Sequence, residues 1–246
     1  MPHTTTLGVD LAAQPENTAY CLIEWLKPKA RIRELRCGAD DAILLEMFGR
    51  SDKVGIDAPF GWPIAFAAAI YTHQRRNVWP AVGTASLRYR VTDHVVRERI
   101  KRWPLSVSSD LIGVTAMRAA RLLSESGQID RSGRGRFVEV YPAAALHIWG
   151  FPSTGYKKKP GEEKRCVVTR SLITATKTWL DWPVDAQRAC EKSDDALDAV
   201  VAALVAWAAA TDQTEPIPQE HMATAKQEGW TALPRDGSLA RLAQTR

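Results

Sequence analysis

The sequence predicts an α/β fold with a mixed sheet, and three observations carry that expectation. Three short strand candidates follow one another near the N-terminus. A helix and a fourth apolar strand come next, and long helical segments surround one further strand in the second half. Thr6 to Ala12 is an apolar run interrupted only by Asp10, as in a buried strand carrying one carboxylate near its end. Thr18 to Trp25 is the second strand, and Ala30 to Cys37, alternating polar and apolar residues, is the third. Short turns between the three favour an antiparallel meander. Asp40 to Gly49 reads as a helix with Asp40 as N-cap and Gly49 as its stop. Lys53 to Asp57 is the fourth strand, closed by Ala58-Pro59.

Residues 60–107 read as an irregular basic insertion with short helices, because Pro63, Pro80 and Pro104 interrupt it beside Trp62, Trp79 and Trp103. Regular spacing resumes with Ile112, Thr115, Ala116, Ala119, Leu122 and Leu123, a helix ended by Gly127. Arg136 to Tyr141 is the fifth strand. Glu163 to Trp179 and Asp194 to Ala210 are helical, the latter with Ser193 as N-cap, and Gly229-Trp230 is a docking element in a proline-rich tail. Neither an internal repeat nor a low-complexity linker divides residues 1–246, which favours a single domain.

The 246 residues are 25% charged and 45% hydrophobic, which excludes a fully disordered chain, a collagen and a coiled coil and leaves material for a sizeable core. Cys21, Cys37, Cys166 and Cys190 include no C-x-x-C pair, so a zinc ribbon or redox motif is not expected, and reduced thiols suit a cytoplasmic protein. Met1 to Thr6 lacks the basic stretch and apolar run of a secretory signal, and the longest apolar run, Ala199 to Ala210, is too short to span a membrane. The histidines are scattered without ligand spacing.

The candidate chemistry lies in five acids. Asp10, Asp57 and Glu139 each interrupt an otherwise apolar strand, and a buried ionised carboxylate requires a partner, a hydrogen bond or a metal. Asp195 and Asp198 sit three apart on one face of the last long helix. Helix capping accounts for Asp194 and Asp195; it accounts less well for Asp198, whose neighbours are apolar, and a divalent cation would turn the repulsion between the acids into attraction. Ligands that are all oxygen suit Mg²⁺ or Mn²⁺.

Seven short motifs, in order, are Gly8-Val-Asp10, Gly55-Ile-Asp-Ala-Pro59, Arg90-Val-Thr-Asp93, Val138-Glu-Val-Tyr-Pro142, Gly155-Tyr-Lys157, Asp195-Ala-Leu-Asp-Ala199 and Glu228-Gly-Trp230. Their order and spacing resemble the RNase H-like superfamily and, more closely, the domain-of-unknown-function family 429, described as predicted RNase H-like nucleases. The resemblance implies a mixed five-stranded sheet in the order 3-2-1-4-5, flanked by helices, with the insertion following strand 4. It implies metal-dependent phosphodiester hydrolysis by two Mg²⁺ or Mn²⁺ ions: Asp10 bridging both, Asp57 holding one, Asp195 or Asp198 the other, with a 5′-phosphate and a 3′-hydroxyl as products. Glu139 is no standard ligand of that superfamily and is kept as a catalytic candidate particular to this family.

The segment 71–103 carries +6 against +5 for the whole chain, with Tyr71, Trp79, Tyr89 and Trp103 interleaved among its arginines. Arginines for phosphates and aromatics for stacking suit unpaired nucleic acid, DNA or RNA. Arg75, Arg76, Arg88 and Arg90 are the candidate contacts, with Lys157 and Lys158 as a second basic cluster; the alternatives are solvated faces, and an Arg90–Asp93 ion pair ordering the loop. A homodimer is a candidate assembly. Two other readings stand beside the nuclease. One is a non-catalytic protein that binds nucleic acid or a nucleotide on the same fold. The other is an ATP-dependent phosphotransferase of the kind shared by sugar kinases, heat-shock chaperones and actin, disfavoured because Leu-Ala-Ala and no phosphate-binding Gly-Ser/Thr follows Asp10.

Overall fold

A computed structural model describes residues 4–26, 29–128 and 130–244. In chain order the elements are β1 (Thr4–Asp10), β2 (Ala19–Trp25), β3 (Ala30–Cys37), α1 (Asp41–Gly49), β4 (Lys53–Asp57), α2 (Ile64–Arg76), α3 (Thr84–Arg88), α4 (Val91–Ile100), α5 (Gly113–Glu125), β5 (Phe137–Glu139), α6 (Pro142–Ile148), α7 (Glu162–Thr176), β6 (Leu180–Asp181), α8 (Val184–Lys192), α9 (Asp194–Ala210), α10 (Met222–Glu228) and α11 (Ser238–Arg241). Met1 to His3, part of the segment weighed above as a leader, lie outside the described residues.

The sheet is mixed and has six strands in the order β5-β4-β1-β2-β3-β6. This corrects the expectation of five strands in the order 3-2-1-4-5. The short β6 adds a sixth, parallel to β3 at Ala30 and Arg31, and two residues are too few to leave an alternating pattern in the sequence. β1, β2 and β3 form the antiparallel meander, while β4 runs parallel to β1, and β5 parallel to β4. The insertion is also more regular than its prolines suggest. α2, α3 and α4 occupy much of it, with Pro63 and Pro80 lying outside their interiors. Proline is tolerated at a helix edge, so it delimits these helices without breaking them.

Side chains alternate across each strand. Leu7, Val9, Val54 and Ile56 pack on one face with Leu44, Phe48 and Leu122. The opposite face takes α9, which is buried along almost its whole length. The approach is closer than side chains normally allow. A Cβ placed on Gly8 would overlap Ala199 O and Ala203 N, and one on Gly55 would stand 2.6 Å from Ala202 O. On α9, Ala199, Ala202, Ala203 and Ala206 recur at helical spacing and present only methyl groups to the sheet. The two strand glycines and the alanine stripe therefore set helix backbone against sheet backbone. Among the described residues no helix is long and apolar enough to cross a membrane.

Gly8→Ala is accordingly expected to overpack this contact by about 1–3 kcal/mol or more, lowering Tm by about 4–10 °C. Differential scanning calorimetry checks this; an unchanged Tm would show that α9 moves away at little cost.

Candidate metal centre

The β1–β4 register pairs Asp10 directly with Asp57 at the C-terminal ends of two parallel strands. Asp10 lies two residues beyond Gly8, and Asp57 two beyond Gly55, so both carboxylates project on the face that α9 covers. Asp198 precedes Ala199, the first alanine of the stripe, and enters from above. One carboxylate oxygen from each of Asp10, Asp57 and Asp198 lies within 4.8 Å of the other two, a group that could hold a metal ion. Asp198 is fully buried. Its Oδ1 accepts a hydrogen bond from the Tyr156 hydroxyl at 2.8 Å. Its Oδ2 accepts no hydrogen bond from the described residues and lies 2.6 Å from Lys157 Nζ, an ionic contact without hydrogen-bond geometry.

The electrostatics follow from three carboxylates facing one ammonium. Burial first, then the charges of Asp198 and Asp57, hold the Asp10 carboxyl well above the ordinary range. Burial pushes Asp57 up to about 7, although Lys157 pulls the other way. The charge of Asp198 raises the Lys157 ammonium above the usual lysine range, against the desolvation that would lower it. The Tyr156-Lys157 loop is tied down by Arg165. This buried guanidinium donates to the carbonyls of Tyr156 (2.9 Å), Lys158 (3.0 Å) and Lys192 (2.8 Å). Oxygen-only donors and a buried oxygen without a hydrogen bond fit a hard divalent cation; none of the three groups is a soft ligand.

Asp195 is not part of this triad. It is half-buried in the first turn of α9, where burial and Asp194 raise its pKa, and it adds negative charge beside Asp10. Glu139 is held elsewhere. The β4–β5 register pairs it with Ile56, whose side chain is on the face away from α9. Both its oxygens are engaged: Oε2 accepts from Arg90 Nη1 (2.7 Å) and Phe60 N (2.8 Å), and Oε1 from Arg90 Nη2 (2.8 Å) and the Thr231 hydroxyl (2.7 Å).

Arg90, expected on the basic face, is buried in the same network. It also donates to Asp93 Oδ1 at 2.9 Å and to the Glu228 carbonyl at 3.2 Å. The carboxylate of Glu228 accepts from Ile64 N (2.8 Å) and Val91 N (2.9 Å). Arg90, Asp93, Glu139 and Glu228 thus brace the insertion and the tail against β5. The anticipated Arg90–Asp93 pair does form, buried and extended to Glu139, so the guanidinium is committed to this network.

The other basic candidates divide. Arg75 and Arg76 are exposed in the last turn of α2, with Arg75 5.2 Å from the Tyr71 ring centroid. Arg88 donates to Ser109 Oγ at 3.1 Å and lies 3.7 Å from Asp110. Lys158 is exposed, its backbone N–H directed at Asp194 Oδ1 (3.2 Å). Lys157 is turned into the carboxylates. The aromatic rings of the insertion are largely occupied with each other and with arginines: Trp103 stacks on Tyr89 at 4.0 Å with Arg97 over it at 4.8 Å. Tyr156, whose hydroxyl fixes Asp198, is signalled in the sequence only by its place in the Gly155-Tyr-Lys157 motif.

The chain belongs to the family described as "Protein of unknown function (DUF429)", which it matches over residues 8–223. Comparison with curated proteins found no match, and neither did comparison with solved structures.

Two outcomes follow. Asp57 stays protonated in the folded chain to higher pH than in the unfolded one, so its contribution to stability falls as pH rises from the usual carboxylate range toward about 7. Without divalent metal, Asp57→Asn is expected to melt about 2–6 °C above the wild type near pH 8, a gain that disappears near pH 4; thermal melts across pH check it. Arg90→Ala leaves Glu139 buried without its counter-ion and is expected to cost about 3–5 kcal/mol in urea unfolding, whereas a loss under about 1 kcal/mol would contradict the brace.

Proposed function

We propose that this protein is a divalent-metal-dependent phosphodiester hydrolase acting on nucleic acid, on an RNase H-like fold. The observation that carries the reading is the convergence of Asp10, Asp57 and Asp198 within 4.8 Å at the ends of two parallel strands, where open α/β sheets bind their ligands. The fold reading draws support from the meander, from β4 parallel to β1, and from a helix laid over both that contributes the third acid.

Asp10, Asp57 and Asp198 would hold the Mg²⁺ or Mn²⁺ ions, with Asp195, beside Asp10, as a further candidate ligand. The ions would supply an activated water and neutralise charge on the phosphate and the leaving oxygen. The chain's own part is to hold these groups in place. Tyr156 fixes Asp198 by its hydroxyl, leaving Oδ2 free of hydrogen bonds. Arg165 anchors the loop that carries Lys157. Lys157 balances the carboxylates and can turn to a phosphate oxygen. In the overall reaction water adds to phosphorus and the P–O3′ bond breaks, giving a 5′-phosphate and a 3′-hydroxyl. Arg75, Arg76 and Lys158, all exposed, are the outer contacts for the nucleic-acid backbone.

One observation favours a second reading, a non-catalytic protein that binds nucleic acid or a nucleotide: Lys157 Nζ is already in contact with Asp198 and could serve as its permanent counter-ion.

The test is Mn²⁺-dependent cleavage of single-stranded DNA and RNA by the wild type and Asp10→Asn. The nuclease reading expects cleavage in the wild type and at least about a thousandfold loss in the variant, with its fold retained. Equal cleavage by both would remove Asp10 from the site, and no cleavage by the wild type would favour the binding protein.

A further inference from the structure

Beside the carboxylates lies a cavity of about 450 Å³. Asp57, one of the three acids, and Lys157, which contacts Asp198, line this cavity, so it adjoins the candidate metal centre. The cavity is also lined by Pro104, Leu105 and Ile112, from the end of the insertion and the turn into α5, and by Tyr141, which follows β5. Leu105 is 59% exposed and Ile112 half-buried, so apolar surface is presented to a space that also holds charge. Arg102 lines the same cavity. Its Nε is buried and has no hydrogen-bond partner among the described residues, and its Nη2 reaches only Ser153 Oγ, at 3.4 Å. A buried donor without a partner is rare in folded proteins and asks for an acceptor.

Resting on the hydrolase reading above, we propose that this cavity seats one unpaired nucleotide, the base against Pro104, Leu105, Ile112 and Tyr141 and the phosphate toward Asp57 and Lys157. A cavity of about 450 Å³ has room for one nucleotide. The wall chemistry fits the parts of a nucleotide separately: aliphatic side chains and the Tyr141 ring for the base, the Arg102 guanidinium for an acceptor on its edge, and the Lys157 ammonium beside the candidate cation site for the phosphate. Bases inside a duplex would first have to be unstacked and extruded, at a cost of a few kcal/mol that an unpaired strand avoids. The preferred substrate is thus a single strand, a loop or a frayed end. The insertion serves this site through its last residues, Arg102 to Leu105, more than through its exposed arginines.

The experiment is isothermal titration of nucleoside 5′-monophosphates, ribose 5-phosphate and inorganic phosphate into the full chain, wild type, Leu105→Trp and Arg102→Gln. Ile112→Trp serves as a second cavity-filling variant should Leu105→Trp fail to fold. At least one nucleoside monophosphate is expected to bind about tenfold or more tightly than ribose 5-phosphate, and that advantage is expected to vanish when an indole fills the cavity and to shrink in Arg102→Gln. Equal binding of all three probes, or a nucleotide affinity untouched by both tryptophan variants, overturns the proposal. A parallel Mn²⁺ titration of wild type and Asp10→Asn keeps the two readings apart. Cavity-dependent nucleotide binding without Asp10-dependent Mn²⁺ binding supports the pocket and sinks the hydrolase. Mn²⁺-dependent cleavage of paired and unpaired strands at equal rates sinks the pocket and leaves the hydrolase.

Discussion

The contact between α9 and the strands beneath it governs the site. Gly8 and Gly55 lack the side chains that would hold a helix at ordinary distance, and Ala199, Ala202, Ala203 and Ala206 offer only methyl groups in return. Backbone-to-backbone packing over such a surface makes many short dispersion contacts and leaves little room for adjustment. Its consequence is chemical as well as structural. Each glycine is two residues before an aspartate on the same strand face, and the alanine stripe begins one residue after Asp198. The close approach that buries α9 therefore drives three carboxylates together, a repulsive arrangement that hydrophobic burial sustains and that a cation would relieve.

A second cluster shares the acids' neighbourhood but has the opposite character. Arg90 and Asp93 from the start of α4, Glu139 from β5 and Glu228 from α10 come from three distant parts of the chain and satisfy one another and nearby backbone N–H groups. Removing one partner would strand a buried charge, so the network fixes where the insertion and the tail meet β5. It also sets one wall of the cavity, since Arg90, Asp93 and Glu139 line it beside Asp57. The two clusters are thus complementary. One gathers three carboxylates around the single Lys157 ammonium; the other is saturated and holds the scaffold around it.

Much of this was legible in the sequence. An apolar strand broken by one acid marked Asp10 and Asp57, and α/β periodicity located β1 to β4, α1, α5 and α9 closely. The same rule singled out Glu139 but left its partner open, because an acid interrupting a strand signals a required partner without saying whether that partner is a metal or an arginine. For Arg90 the sequence offered both a basic face and an ion pair with Asp93; the pair forms, and only the fold brings Glu139 and Glu228 to it. The pairing of Lys157 with Asp198 joins residues 41 apart, and no local pattern encodes such a contact. β6 and α6 have two and seven residues, and elements this short are decided by tertiary packing more than by periodicity.

The most direct test of the account is a crystal structure grown with Mn²⁺, with anomalous scattering used to locate the metal. The account predicts a Mn²⁺ peak bonded to one oxygen from each of Asp10, Asp57 and Asp198, with Lys157 withdrawn from Asp198 Oδ2. An ordered crystal containing Mn²⁺ with no peak at these oxygens, and Lys157 still against Asp198, would contradict it and leave the lysine as the cluster's permanent cation.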